Sequence, residues 1–131
     1  MKRQRIQDMT VEQLVTRFTE LALIQDRALA YDETAKYNQL FDQLADVMAE
    51  FMVRPVEQRQ ALMALYDHPS TQVRFMAGVA TVDFAPEAAR PVFELISERN
   101  EYPQAADARS FIRHLDEGPV DMNWILKRKQ K

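Results

Sequence analysis

Cysteine is missing from all 131 residues, which removes disulfide frameworks, thiolate catalysis and Cys-ligated zinc from consideration. The same absence fits a reducing cytoplasm, where the chain is expected. Glycine occurs only at Gly78 and Gly118, too sparsely for a phosphate-cradling loop. No Gly-x-Ser-x-Gly elbow is present, and Ser70, Ser97 and Ser110 have no triad-like partners in sequence. No apolar run approaches the roughly 18 residues that span a bilayer, and MKRQRIQDMT carries charge without an apolar h-region. The only two histidines, His68 and His114, are far apart and lack His-Glu-x-x-His spacing, so no metal or cofactor is expected.

The charge that is present is unevenly placed. A formal net charge of −3 conceals seven basic residues at the ends: Lys2, Arg3 and Arg5, then Lys127, Arg128, Lys129 and Lys131. Between Ile6 and Leu126 ten basic side chains face twenty acidic ones, a body of −10. Such a body repels phosphate backbones, which makes nucleic acid an unfavoured partner.

With so little glycine and with apolar residues recurring at three- and four-residue steps, the chain reads as all-α. Its length suits one domain that needs no metal or disulfide to hold a core. Residues 1–9 read as a frayed polar segment. Thr10 and Gln13 fit a capping box ahead of a first helix over about 11–30, with Leu14, Phe18, Leu21, Ala22 and Leu29 as its stripe. Asp32 is expected to cap a second, antiparallel helix on the stripe Tyr37, Leu40, Phe41, Leu44, Val47, Met48 and Phe51. Pro55 suits the start of a third, with Leu62 and Leu65 inward.

The stretch Asp67–Phe84 is the centre of this pattern. His68-Pro69 disfavours helix and Ser70 caps the next one. That fourth helix is apolar on two faces, Val73, Met76, Ala77, Ala80 and Phe84 on one and Phe75, Val79 and Val82 on the other. Such a helix is enclosed by close neighbours. Pro86 opens a fifth helix with Val92, Leu95 and Ile96 as its face. A sixth carries Ala105, Ala108, Phe111, Ile112 and Leu115 inward and closes at Gly118-Pro119. Residues 119–131 form a tail with one apolar cluster, Met122, Trp124, Ile125 and Leu126, before the basic end.

A shift of about 31 residues pairs Arg59 with Arg90, Leu62 with Phe93, Leu65 with Ile96, Ala77 with Ala108 and Phe84 with Leu115. Helix pairs of that length typify α-solenoids. Asp67, Pro69, Val73, Arg74, Ala77 and Pro86 resemble the HEAT-repeat pattern, in which the second helix opens with Val-Arg and carries a small residue soon after. The second unit departs from it, with Gln104-Ala105 in place of Val73-Arg74. The repeat resemblance spans Pro55–Gly118. More narrowly, Thr10–Gly118 is similar to a short bacterial HEAT-like family known only as a domain of unknown function. The resemblance implies a right-handed solenoid of about six helices in three antiparallel pairs over 10–118. It also implies that Asp67 and Arg74 tie successive repeats together.

No catalytic constellation is visible, and the chain is read as a non-enzymatic module that binds a protein or peptide. The i,i+4 acids Asp42, Asp46 and Glu50 lie opposite the apolar stripe and read as a solvated face. In a solenoid the second helices line one concave surface, so Asn38, Arg74, Arg109 and Arg113 are the candidate partner contacts, with Trp124 as an aromatic anchor. Two further readings compete: a HEAT-like nucleic-acid-binding or DNA-repair-type protein, and an uncharacterised enzyme or self-associating structural protein.

Overall fold

The computed structural model describes residues 4–128. They form seven α-helices and two 3-10 segments, with no strand among the described residues: α1 (Val11–Ala30), α2 (Thr34–Val53), α3 (Val56–Arg59), α4 (Thr71–Thr81), α5 (Pro86–Glu98), α6 (Gln104–Glu117) and α7 (Trp124–Lys127). The basic residues Lys2, Arg3, Lys129 and Lys131 lie outside the described residues. Two compact units result, one of residues 4–61 and 125–128, the other of residues 62–124. The expected tail, 119–131, is thus shared between them at Trp124 and Ile125.

In the first unit the expected capping box forms in full. Thr10 Oγ1 accepts from the Gln13 amide at 3.1 Å, and Gln13 Oε1 accepts from the Thr10 amide at 2.9 Å. Packing outweighs capping here. Leu14, Phe18, Leu21, Leu40, Leu44, Val47, Met48 and Phe51 are all buried, and each large apolar side chain contributes about 1.5–3 kcal/mol against about 1 kcal/mol for a cap. The stripes foreseen on both helices are therefore what holds α1 along α2.

Asp32 does not cap α2. It is left-handed, φ 56, and closes α1 instead. Its amide donates to Leu29 O and the Glu33 amide to Ala28 O, the paired bonds of a Schellman motif with Asp where glycine is commoner. The N-cap of α2 is Glu33, without a side-chain cap. The 4–9 segment is also more ordered than a frayed end. Ile6–Asp8 forms a 3-10 turn, whose Ile6 and Gln7 carbonyls accept from Arg54 Nη2 at 3.3 Å each. Arg54 is itself fixed by Glu50, at 2.6 Å from its Nε.

The third helix is a correction. One α-turn, α3, gives way to a 3-10 segment Gln60–Leu65. Tightening to three residues per turn stacks Leu62 and Leu65 on one side, and Leu62 is fully buried. Pro55 is the N-cap of α3 rather than its first residue.

In the second unit α4 is as enclosed as its two apolar faces require: every residue from Gln72 to Thr81 is buried. Ser70 Oγ accepts from the Val73 amide as its cap. α5 packs along α6, and α4 lies against both. Phe75 meets Phe93 and Phe111 edge-on at 5.9 and 6.0 Å, while Phe93 and Phe111 stack at 4.8 Å. Gly78 allows this cluster to close, because a Cβ there would stand 3.0 Å from Phe93. Gln104 Nε2 donates to Gln72 Oε1 at 2.7 Å, pairing two buried amides that would each be costly alone. Leu95, expected inward on α5, is 39 % exposed; Val92, Phe93 and Ile96 carry the packing instead.

Candidate functional site

The most organised polar structure in the second unit is the connection between α5 and α6. α5 ends as α1 does, in a Schellman motif: Asn100 is left-handed, φ 52, its amide donates to Ser97 O and the Glu101 amide to Ile96 O. This closure places Asn100, Glu101 and Tyr102 in a fixed turn, and two arginines then seize it.

Arg74, at the start of α4, forks onto Glu101. Its Nη1 and Nη2 stand 3.0 and 3.1 Å from the two carboxylate oxygens, while Nε donates to His68 O at 2.8 Å and Nη2 to Thr71 Oγ1 at 3.0 Å. Bidentate pairs of this kind are the strongest charge-assisted hydrogen bonds available to side chains. The guanidinium holds the Glu101 carboxyl below the usual carboxylate range. The acid that ties Arg74 is therefore Glu101, not Asp67, which is exposed. His68 completes the turn before α4, its Nδ1 accepting from the Ser70 amide at 3.0 Å.

Arg109, on α6, takes the other side of the turn. Nε donates to Ser97 Oγ at 2.9 Å, Nη2 to Ser97 O at 3.0 Å and Asn100 Oδ1 at 2.6 Å, and Nη1 to the Tyr102 hydroxyl at 2.5 Å. Its Cζ lies 5.5 Å from the Tyr102 ring centroid. All four acceptors are neutral, and among the described residues no carboxylate stands within ion-pair distance of Arg109 or of Arg113. Arg113, one turn further on, is exposed and donates to Ser110 Oγ at 2.9 Å. Tyr102 is 62 % exposed beside them.

The candidate contacts thus separate. Arg109 and Arg113 share the outward edge of α6. Arg74 is 7 % exposed and committed to Glu101, so it is a staple and not a surface contact. Asn38 is exposed on α2 in the first unit. Trp124 is 45 % exposed at the end of the second. Glu101 escapes a reading of periodicity because it lies, with Tyr102, in a loop. The pattern Asn-Glu-Tyr-Pro after a helix is the signal that marks them, since asparagine is favoured at the left-handed closing position.

On α2, Asp42 and Asp46 are not merely solvated. Asp46 Oδ1 accepts from Arg128 Nη2 at 2.7 Å, and the Asp42 carbonyl from the same nitrogen at 3.1 Å. Among the described residues no group of three or more His, Asp or Glu side chains is arranged to hold a metal ion. No described helix is long and apolar enough to cross a membrane.

Residues 12–116 match the family model of a domain of unknown function, DUF2019. The chain belongs to that family. The crystal structure of the protein RPA1889 from Rhodopseudomonas palustris CGA009 is similar at 34 % sequence identity and a TM-score of 0.84, covering 91 % of this chain and 98 % of that one. Among curated proteins nothing matches the chain. The match runs through both units, so the DUF2019 pattern takes in the helix pair α1 and α2 as well as the Arg74 and Arg109 staples.

Proposed function

We propose that this DUF2019 chain is a non-enzymatic protein-binding module, built as a short HEAT-like α-solenoid, whose α6 edge engages an acidic segment of a partner. The solenoid reading is supported by burial. Three of the four apolar pairs related by the 31-residue shift share an environment: Leu62 and Phe93 are buried, as are Ala77 and Ala108, while Phe84 and Leu115 are half-buried. Leu65 and Ile96 differ by one step, half-buried against buried.

The observation that carries the binding reading is the uncompensated charge at Arg109 and Arg113. Within the −10 body Arg54, Arg74 and Arg90 each meet an acid, whereas among the described residues Arg109 and Arg113 do not. These two keep their charge on neutral oxygens, at helical spacing, beside an exposed tyrosine that Arg109 holds in place. Preordering of this kind lowers the entropy cost of docking. Aromatic and arginine side chains together are also the commonest anchors of protein interfaces. A short acidic protein segment fits better than nucleic acid, since it brings fewer negative charges against the −10 body than a phosphate backbone does.

The test is photo-crosslinking from p-benzoylphenylalanine at position 102 in cells of the source organism. A protein adduct with an acidic contact segment, lost in Arg113→Glu and retained in Arg113→Lys, supports the reading. Nucleic-acid adducts, or a protein adduct indifferent to Arg113→Glu, would overturn it.

A further inference from the structure

The first unit contains a second recognition feature, independent of the α6 edge. Its last described residues lie along α2 as a bound peptide would. Ile125 is 2 % exposed and Leu126 half-buried. Arg128, three residues after Ile125, reaches Asp46 and the Asp42 carbonyl with a side chain only 17 % exposed. Asp42 Oδ1 stands 3.7 Å from its Nε. The opposite wall of this groove is the Ile6–Asp8 turn, stapled to α2 by Arg54. Between the two walls a cavity of about 380 Å³ remains open, its apolar lining including Ile6, Ala49, Val53 and Leu126 and its charged lining Asp46 and Glu50 with Arg5 and Arg128, the former paired to Asp8 and the latter to Asp46. Val53 is 67 % exposed there.

From these observations we infer that the α2 groove is a docking site for a short basic amphipathic segment of a partner protein, an apolar residue followed three positions later by arginine, and that the chain's own tail is its resident competitor. Charge complementarity decides the class. The groove offers carboxylates and a carbonyl at one end and apolar floor at the other, and Ile125 with Arg128 shows the spacing that satisfies both. Arginine suits it better than lysine, because one guanidinium serves the Asp46 carboxylate and the Asp42 carbonyl together. The open volume decides between a partner and a second copy. The described tail residues, up to Arg128, leave the cavity beside Val53 open, and the same residues exchanged from another copy would leave the same gap. A segment with one further apolar side chain fills it and displaces the tail despite the advantage of tethering.

The experiment uses the full chain. Ile125→Glu with Arg128→Glu dislodges the tail, and fluorescence anisotropy then follows a labelled peptide of residues 120–128 and two forms of it with leucine at 123 or at 127. We expect the tail-dislodged chain to bind the native peptide at least ten-fold more tightly than the wild type does. At least one leucine form should gain a further several-fold, with binding abolished by Asp46→Lys and weakened by salt. No binding to a tail-dislodged chain that retains its circular dichroism and cooperative melt would overturn the inference, as would binding that survives Asp46→Lys. Tail-exchanged dimers with no gain from either leucine form would replace the partner by a second copy. Should the double variant not fold, a spin label at Lys127→Cys in an otherwise cysteine-free chain reports the same competition. Excess leucine peptide must relieve the broadening of α2 amides, and failure to relieve it rejects the site.

Discussion

Gly78→Ala isolates the closest approach in the second unit. A methyl at this position would lie 3.0 Å from both Cε1 and Cζ of Phe93, tighter than carbon atoms tolerate. The ring cannot simply retreat: Phe93 is fully buried, stacked on Phe111 at 4.8 Å and met edge-on by Phe75 at 5.9 Å. Two terms oppose each other. Replacing a mid-helix glycine by alanine favours folding by about 1 kcal/mol. Overfilling a packed site costs about 1–3 kcal/mol. The balance is a net destabilisation of roughly 1 kcal/mol, or roughly 3–6 °C in melting temperature for a chain of this size. Urea titration followed by far-UV circular dichroism and by the fluorescence of the single tryptophan, Trp124, measures it. Phe93→Leu removes the offending ring atoms at its own cost of about 1–2 kcal/mol in lost area and stacking. In that background Gly78→Ala should change sign and stabilise by about 1 kcal/mol, a coupling of about 2 kcal/mol across the cycle. If Gly78→Ala stabilises the wild type by the bare propensity gain, or the coupling is nil, Phe93 does not lie over Gly78.

Three other perturbations test separate contacts. Glu101 has a carboxyl pKa lowered by Arg74, so its contribution is fully present above the unfolded value of 4.5 and is lost as pH falls through the lower folded value; Glu101→Gln should flatten the acid limb of a stability–pH curve. Arg74→Ala should cost about 2–3 kcal/mol, since it leaves Glu101 and the His68 carbonyl without their charged donor, and equal melting temperatures for mutant and wild type would reject the staple. Ala77→Leu, at a fully buried position of α4, should destabilise by about 1–3 kcal/mol, read as a lower urea midpoint.

What could be read from the sequence is what local chemistry decides. Thr10 with Gln13, and Ser70 after His68-Pro69, announce helix starts because a side-chain oxygen must meet an amide three residues on. The enclosure of α4 follows from its having no polar face. The helix ends were harder. Asp32 and Asn100 both close helices in left-handed conformations, and an aspartate in a short connection reads equally well as the cap of the next helix. Leu95 misleads for another reason: it lies one step off a stripe that Val92, Phe93 and Ile96 already complete.

Contacts between distant residues leave no periodic trace. Arg74 and Glu101 are 27 apart, and nothing local distinguishes Glu101 from Asp67 as the acid that arginine meets. Asp42 and Asp46 are the sharper case, because their i,i+4 spacing is what a solvated helix face also shows. Their partner Arg128 lies more than eighty residues away. One signal did point there: a basic end on a chain whose body is −10 has acids to find, and α2 carries three of them at one-turn spacing. Charge asymmetry along the sequence therefore points to Arg128 and its acids together, although only the fold says which acids are used. Arg109 and Arg113 are the reverse case, cations that meet neutral oxygens in the fold, and it is on them that the proposed binding reading rests.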